Sequence, residues 1–169
     1  MGHSRVLDPK LRPPDKAFEM ARQLTVKAAT RLRRYKLYAR KLSLQVRSVD
    51  GARWANDLSF APTQDNFALI KSLEKMWQTM LWDMGAPHLK KVSVSIHDLH
   101  KSEDVTLDLF ETSEEQKRPS IKLSNSMDEI NRRYGANTVS VGSCPKTSAG
   151  YVGTKIAFTR VPEKAEFGE

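Results

Sequence analysis

The chain has 169 residues, 39% apolar and 28% charged, with 28 Lys+Arg against 20 Asp+Glu and a formal net charge of +8. That length suits one domain with room for an appendage; no apolar run nears the ~18 residues of a membrane span, and no secretory signal precedes Gly2-His3-Ser4-Arg5. The single Cys144 excludes an internal disulfide and makes a reducing cytoplasm the expected compartment. The charge is localised, since residues 1–100 carry 18 Lys+Arg against 9 Asp+Glu, whereas residues 101–169 carry 10 against 11. A basic surplus confined to one part of a chain points to a polyanionic partner, nucleic acid first; the bland alternative is solubility alone.

In chain order, His3 to Leu7 reads as a short strand, closed by Asp8-Pro9 and the Pro13-Pro14 pair. From Asp15 to Tyr35, Ala17, Met20, Ala21, Leu24, Ala28, Leu32 and Tyr35 recur at helical steps, leaving Arg22, Lys27, Arg33 and Arg34 largely outside. Tyr38 to Val49 then alternates Leu42, Leu44 and Val46 with Lys41, Ser43, Gln45 and Arg47, the two-residue period of a strand with one buried and one wet face. Asp50-Gly51 is a hairpin turn signal, and Arg53 to Phe60 returns as the partner strand. Pro62-Thr63 is expected to end it, with Thr63 as N-cap of a helix over Gln64 to Trp82 whose stripe is Phe67, Ile70, Leu73, Trp77 and Met80 or Leu81. Gly85-Ala86-Pro87 stops this helix. Leu89 to Leu99 is the last strand, alternating Val92, Val94 and Ile96 with Lys91, Ser93, Ser95 and His97.

The order implies an α+β fold, a βαββαβ unit whose four-stranded sheet carries both helices on one face. A C-terminal α/β extension follows. The expected divisions are 1–100 for a DNA-binding domain, 101–125 for a strap and 126–169 for the extension. In the strap, Val105 to Phe110 is an apolar island, read either as a peptide motif or as a small packed strand, and Glu111 to Pro119 is charged and turn-rich. Ser126 opens the next helix, running to Tyr134 before Gly135; Thr138 to Val141 and Lys155 to Thr159 read as strands.

The sheet's open front is the candidate site. Lys41, Arg47, Lys91 and His97, bordered by Arg5 and Arg40, supply phosphate contacts, while Ser43, Gln45, Ser93 and Ser95 are short or polar enough to let a duplex approach. Outward positions carry no aromatic residue on which bases would stack, which favours backbone tracking over single-strand reading. No metal or catalytic site is expected. Ser126-Met127-Asp128-Glu129 fits a capping box, and two-metal chemistry would need converging carboxylates that the chain lacks. His97 and His100 have no further ligands at zinc spacing, the Gly142 to Thr154 stretch lacks the ending of a phosphate-cradling loop, and Trp54, Trp77 and Trp82 are expected in packing.

Several stretches together carry a likeness to a known family: Gly2 to Leu7, Arg53-Trp54-Ala55 with Pro62 to Asp65, Leu107 to Phe110, Asp128 to Gly135 and Lys155 to Arg160. Their combination resembles the C-terminal little-finger domain and tail of bacterial Y-family translesion DNA polymerases of the DinB/UmuC type. The resemblance implies sequence-independent binding of template-primer DNA in repair and the SOS response, at the nucleoid in the cytoplasm. It also implies a partner in the palm, fingers and thumb of a polymerase. Magnesium is expected only on the upstream acidic palm residues, so no cofactor is expected here and a chain starting at Met1 is not expected to polymerise alone. Thr106-Leu107-Asp108-Leu109-Phe110 is similar to the family's peptide for the sliding clamp, with Thr106 where that peptide has Gln. The alternative function is a protein-interaction module binding that clamp.

Overall fold

The computed structural model describes residues 1–101, 114–135 and 137–142, with backbone alone for 114–118. Strand β1 (Gly2–Val6) leads through a 3-10 turn at Pro9–Leu11 into helix α1 (Pro14–Arg34). Strands β2 (Leu37–Ser48) and β3 (Arg53–Thr63) form a hairpin, helix α2 (Asn66–Met84) follows, and β4 (Leu89–Lys101) completes the sheet. Helix α3 (Glu114–Tyr134) lies beyond it. The sheet is antiparallel with order β1-β4-β2-β3, so the first strand is an edge and the last strand sits inside.

Strand alternation builds the core as the sequence predicts. Leu42, Leu44, Val92, Val94 and Ile96 are fully buried with Val46 at 4% exposure, facing Met20, Leu24 and Leu32 of α1 and Leu69, Leu73 and Met80 of α2. Phe18 packs its ring on Trp77 at 5.3 Å between centroids, tying the two helices together. Gly85 closes α2 in the left-handed region at φ 66°, where its N–H reaches the Leu81 carbonyl at 3.0 Å.

Several expectations are corrected. β3 runs on through Pro62 to Thr63, and the cap of α2 is Asp65, whose carboxylate accepts from the backbone N–H of Phe67 and Ala68 at 3.2 and 3.3 Å. Trp82 does not pack: it is 89% exposed, because the buried stripe of α2 is Leu69, Ile70, Leu73, Met76, Trp77 and Met80. Phe67 and Tyr35 likewise sit at the margins of their stripes, 38% and 48% exposed.

The largest correction concerns the C-terminal part. Ser126 lies in the middle of α3, which begins at Glu114 and carries Pro119 internally, so Ser126 and Glu129 form no cap and much of Glu111 to Pro119 is helical. Nor is Arg33 outside; it is 8% exposed. Its Nε donates to Asp128 Oδ2 at 2.6 Å and its Nη2 to Asp128 Oδ1 at 2.8 Å, while Nη1 donates to the Gln64 carbonyl at 2.7 Å and Asn66 Oδ1 at 2.9 Å. Thr30 Oγ1 donates to the same carboxylate at 2.8 Å, and buried Ser124 donates to Asp65 Oδ1 at 3.0 Å. This polar seam clips α3 onto the ends of α1 and α2.

Thr138 to Val141 form no strand. Asn131 holds both backbone groups of Val139, donating to its carbonyl at 2.8 Å and accepting from its N–H at 2.9 Å, and so occupies the groups a ladder would use. Gly142, at φ 76°, lies so close to α1 that a Cβ there would fall 2.5 Å from Arg22 Cζ. Asp128 and Gly142 thus both meet α1, the first at Thr30 and Arg33 and the second at Arg22. The Val105–Phe110 island and the Lys155–Thr159 strand lie outside the described residues.

Candidate nucleic-acid interface

The register assembles the open face in rows across the strands. One row is Val6, Lys91, Arg47 and Arg53; the next is Ser4, Ser93, Gln45 and Ala55; then come Gly2, Ser95, Ser43 and Asp57; the last pairs His97, Lys41 and Ser59. From Arg47 to Lys41 the face extends ~20 Å along the strand, at about 3.3 Å per residue. Eight of the ten residues predicted for this face are brought together on it: Lys41, Ser43, Gln45, Arg47, Lys91, Ser93, Ser95 and His97.

Arg5 and Arg40 are not on it. Arg5 pairs with buried Val92, so strand alternation turns it to the helix side, and Arg40 is one step out of phase with Lys41, with its Nε buried. His3 shares that helix side. Burial, then the positive Lys27, Arg31 and amino terminus, lowers its imidazole from 6.5 to about 4, and its Nε2 is buried without a hydrogen-bond partner. The folded chain therefore holds His3 neutral where the unfolded chain takes up a proton. This contribution is intact above the unfolded value near 6.5 and is lost as pH falls toward 4. Because the ring is partly open to water, the expected loss is about 1–2 kcal/mol. Urea unfolding at pH 7 and pH 4.5 checks it: His3→Gln should shrink the difference between the two pH values, and an equal difference in both proteins contradicts the assignment.

The two ends of the face differ in charge. At one end Arg47, Arg53 and Lys91 are all exposed and surround a depression of about 330 Å³, floored by Gln45, Ala55 and Ser93. Among the described residues none of the three cations has an ion-pair partner. Arg53 was missing from the predicted set, although it faces Arg47 directly across the hairpin, and counting back from Asp50-Gly51 would have found it.

At the other end an acid intervenes. Asp57 lies opposite Ser43, accepts that hydroxyl's hydrogen bond and pairs with Lys41 Nζ at 3.6 Å. His97 Nε2 contacts Ser43 Oγ from the other side. The Ser43 hydrogen bond first, then the charges of Lys41 and His97, holds the Asp57 carboxyl below the usual carboxylate range. Ser43 is only 7% exposed, so it is covered by its neighbours rather than presented to a ligand.

In comparison with known proteins, the profile described as the impB/mucB/samB family C-terminal domain matches residues 1–109. No curated protein matches in sequence. Among solved structures, a chain from a complex of beta-clamp processivity factor and little finger domain of PolIV is similar at 16% identity, with 64% of this chain and 96% of that chain covered and a TM-score of 0.47. The profile spans most of the chain and takes in the whole sheet with both covering helices, and so the protein belongs to the impB/mucB/samB C-terminal domain family, the little finger of Y-family DNA polymerases.

Proposed function

We propose that the chain grips template-primer DNA through its phosphates, without reading sequence, as the little-finger part of a translesion polymerase acting in repair at the nucleoid. The observation that carries this reading is the convergence of Arg47, Arg53 and Lys91 on one end of the sheet, where the rows from Arg47 to Lys41 carry no Phe, Tyr or Trp. Three cations around one depression suit a phosphodiester backbone, and the small and polar residues between them offer splayed bases little to stack on. Catalysis, and the magnesium it needs, belong in this reading to the palm of the polymerase. Duplexes of unrelated sequence titrated at several salt concentrations test it. Affinities should agree across sequences and fall with a log-log slope of about −2.7, near 0.9 for each of three phosphate contacts. A slope near zero, or a strong sequence preference, contradicts it.

The second partner proposed is the sliding clamp, and the support is the sequence Thr106-Leu107-Asp108-Leu109-Phe110 with its three apolar anchors. Replacing both Leu109 and Phe110 with alanine is expected to abolish retention of this chain on immobilised clamp while leaving duplex affinity unchanged. Equal retention of both proteins removes the clamp from the reading.

A further inference from the structure

The open face of the sheet is not uniformly basic, and the exception sits on its edge strand β3. Asp57 stands in the row next to Lys41 and His97, two rows from the cationic depression. It takes the ammonium of Lys41 at 3.6 Å and the hydroxyl of Ser43. Lys41 and Asp57 side chains are 39% and 48% exposed, so this pair contributes little to folding. Its effect is instead on what the surface offers a ligand. A carboxylate repels phosphate, and an ammonium already bound to that carboxylate releases no counterion on meeting one.

Resting on the phosphate-gripping reading, we infer that Asp57 is a specificity-determining residue that withholds Lys41 from DNA, confining the phosphate grip to the Arg47, Arg53 and Lys91 end of the sheet. The duplex backbone is then admitted at one end of the face and turned away at the other. This gives the grip a fixed footprint and keeps its affinity below what the face's full set of cations would supply. A restrained grip suits a module that follows a moving primer terminus. Opposite-charge masking of this kind discriminates by placing a repulsive group where an unwanted contact would form.

The experiment uses the full chain and a 20-base-pair duplex of arbitrary sequence, measured by fluorescence anisotropy from about 50 to about 200 mM salt. Asp57→Asn keeps the shape and the Ser43 contact while freeing Lys41. Its log-log slope should steepen by about 0.9, so that its advantage over the unsubstituted chain grows about three-fold as salt falls across that range. Lys41→Ala alone should leave the slope unchanged, and adding Lys41→Ala to Asp57→Asn should restore the original slope. Thermal unfolding of each variant confirms that the sheet is intact. An Asp57→Asn slope equal to that of a salt-dependent parent overturns this inference alone, as does a Lys41→Ala slope that drops by a full contact. A parent chain whose binding ignores salt overturns the phosphate-gripping reading itself.

Discussion

Replacing Asp128 with alanine is expected to lower the unfolding free energy by about 3 kcal/mol, because it strands a buried guanidinium. The Arg33 side chain is 4% exposed and that of Asp128 23%, and both Asp128 oxygens are engaged, one by Arg33 Nε and the other by Arg33 Nη2 and Thr30. A two-pronged charged contact of this kind is strong when made, and costly to leave half-made when one partner is as buried as Arg33. At about 2–4 °C per kcal/mol for chains of this size, the midpoint of thermal unfolding should fall by about 6–12 °C. Asp128→Asn, which keeps one acceptor, should cost less, and swapping Arg33 and Asp128 together for Met and Leu should recover much of the loss. Circular dichroism melts read all three. A change under about 1 kcal/mol for the alanine variant would mean that the seam between α3 and the helical layer contributes little.

The second large effect concerns binding. Changing Arg47, Arg53 and Lys91 together to alanine should leave a chain that folds normally, since all three are exposed, yet has lost its grip on duplex DNA. With three contacts, the parent's affinity is expected to fall about 40-fold between about 50 and about 200 mM salt, whereas the triple variant's should barely change. Single substitutions should each remove about one third of that slope, because phosphate neutralisations count nearly independently. A triple variant that keeps the parent's slope would place the DNA elsewhere on the molecule, and the basic last turn of α1, with Arg31 and Arg34, would be the next surface to test.

What the sequence disclosed follows from how far each feature reaches along the chain. Alternation in β2 and β4 is local, so the buried and wet faces of both strands were legible residue by residue, and with them most of the candidate face. The hairpin register was also within reach: once Arg47 pairs with Arg53, Ser43 must face Asp57, and the acid on the open face follows. Arg33 was not legible. Its partner Asp128 is 95 residues away, and a cation among other cations on a helix back looks solvated until a distant segment covers it. Asp128 suffered the converse, since a Ser-x-x-Glu spacing at 126–129 imitates a helix start within a helix begun twelve residues earlier at Glu114. The position of β1 at the sheet edge is likewise set by long-range pairing with β4 and leaves no local trace.

The edge at the opposite side of the sheet bears on how the protein behaves at high concentration. β3 is eleven residues long, and among the described residues its outer backbone groups have no neighbour in the sheet, the arrangement that invites a strand from another molecule. Two features break that edge. Phe60, Ala61 and Pro62 together stand against the single residue Arg40, which bends the strand, and Pro62 has no N–H to offer. An incoming chain would find only the stretch before Ser59 straight enough to pair with, so aggregation by strand addition is curtailed where a flat edge would propagate it.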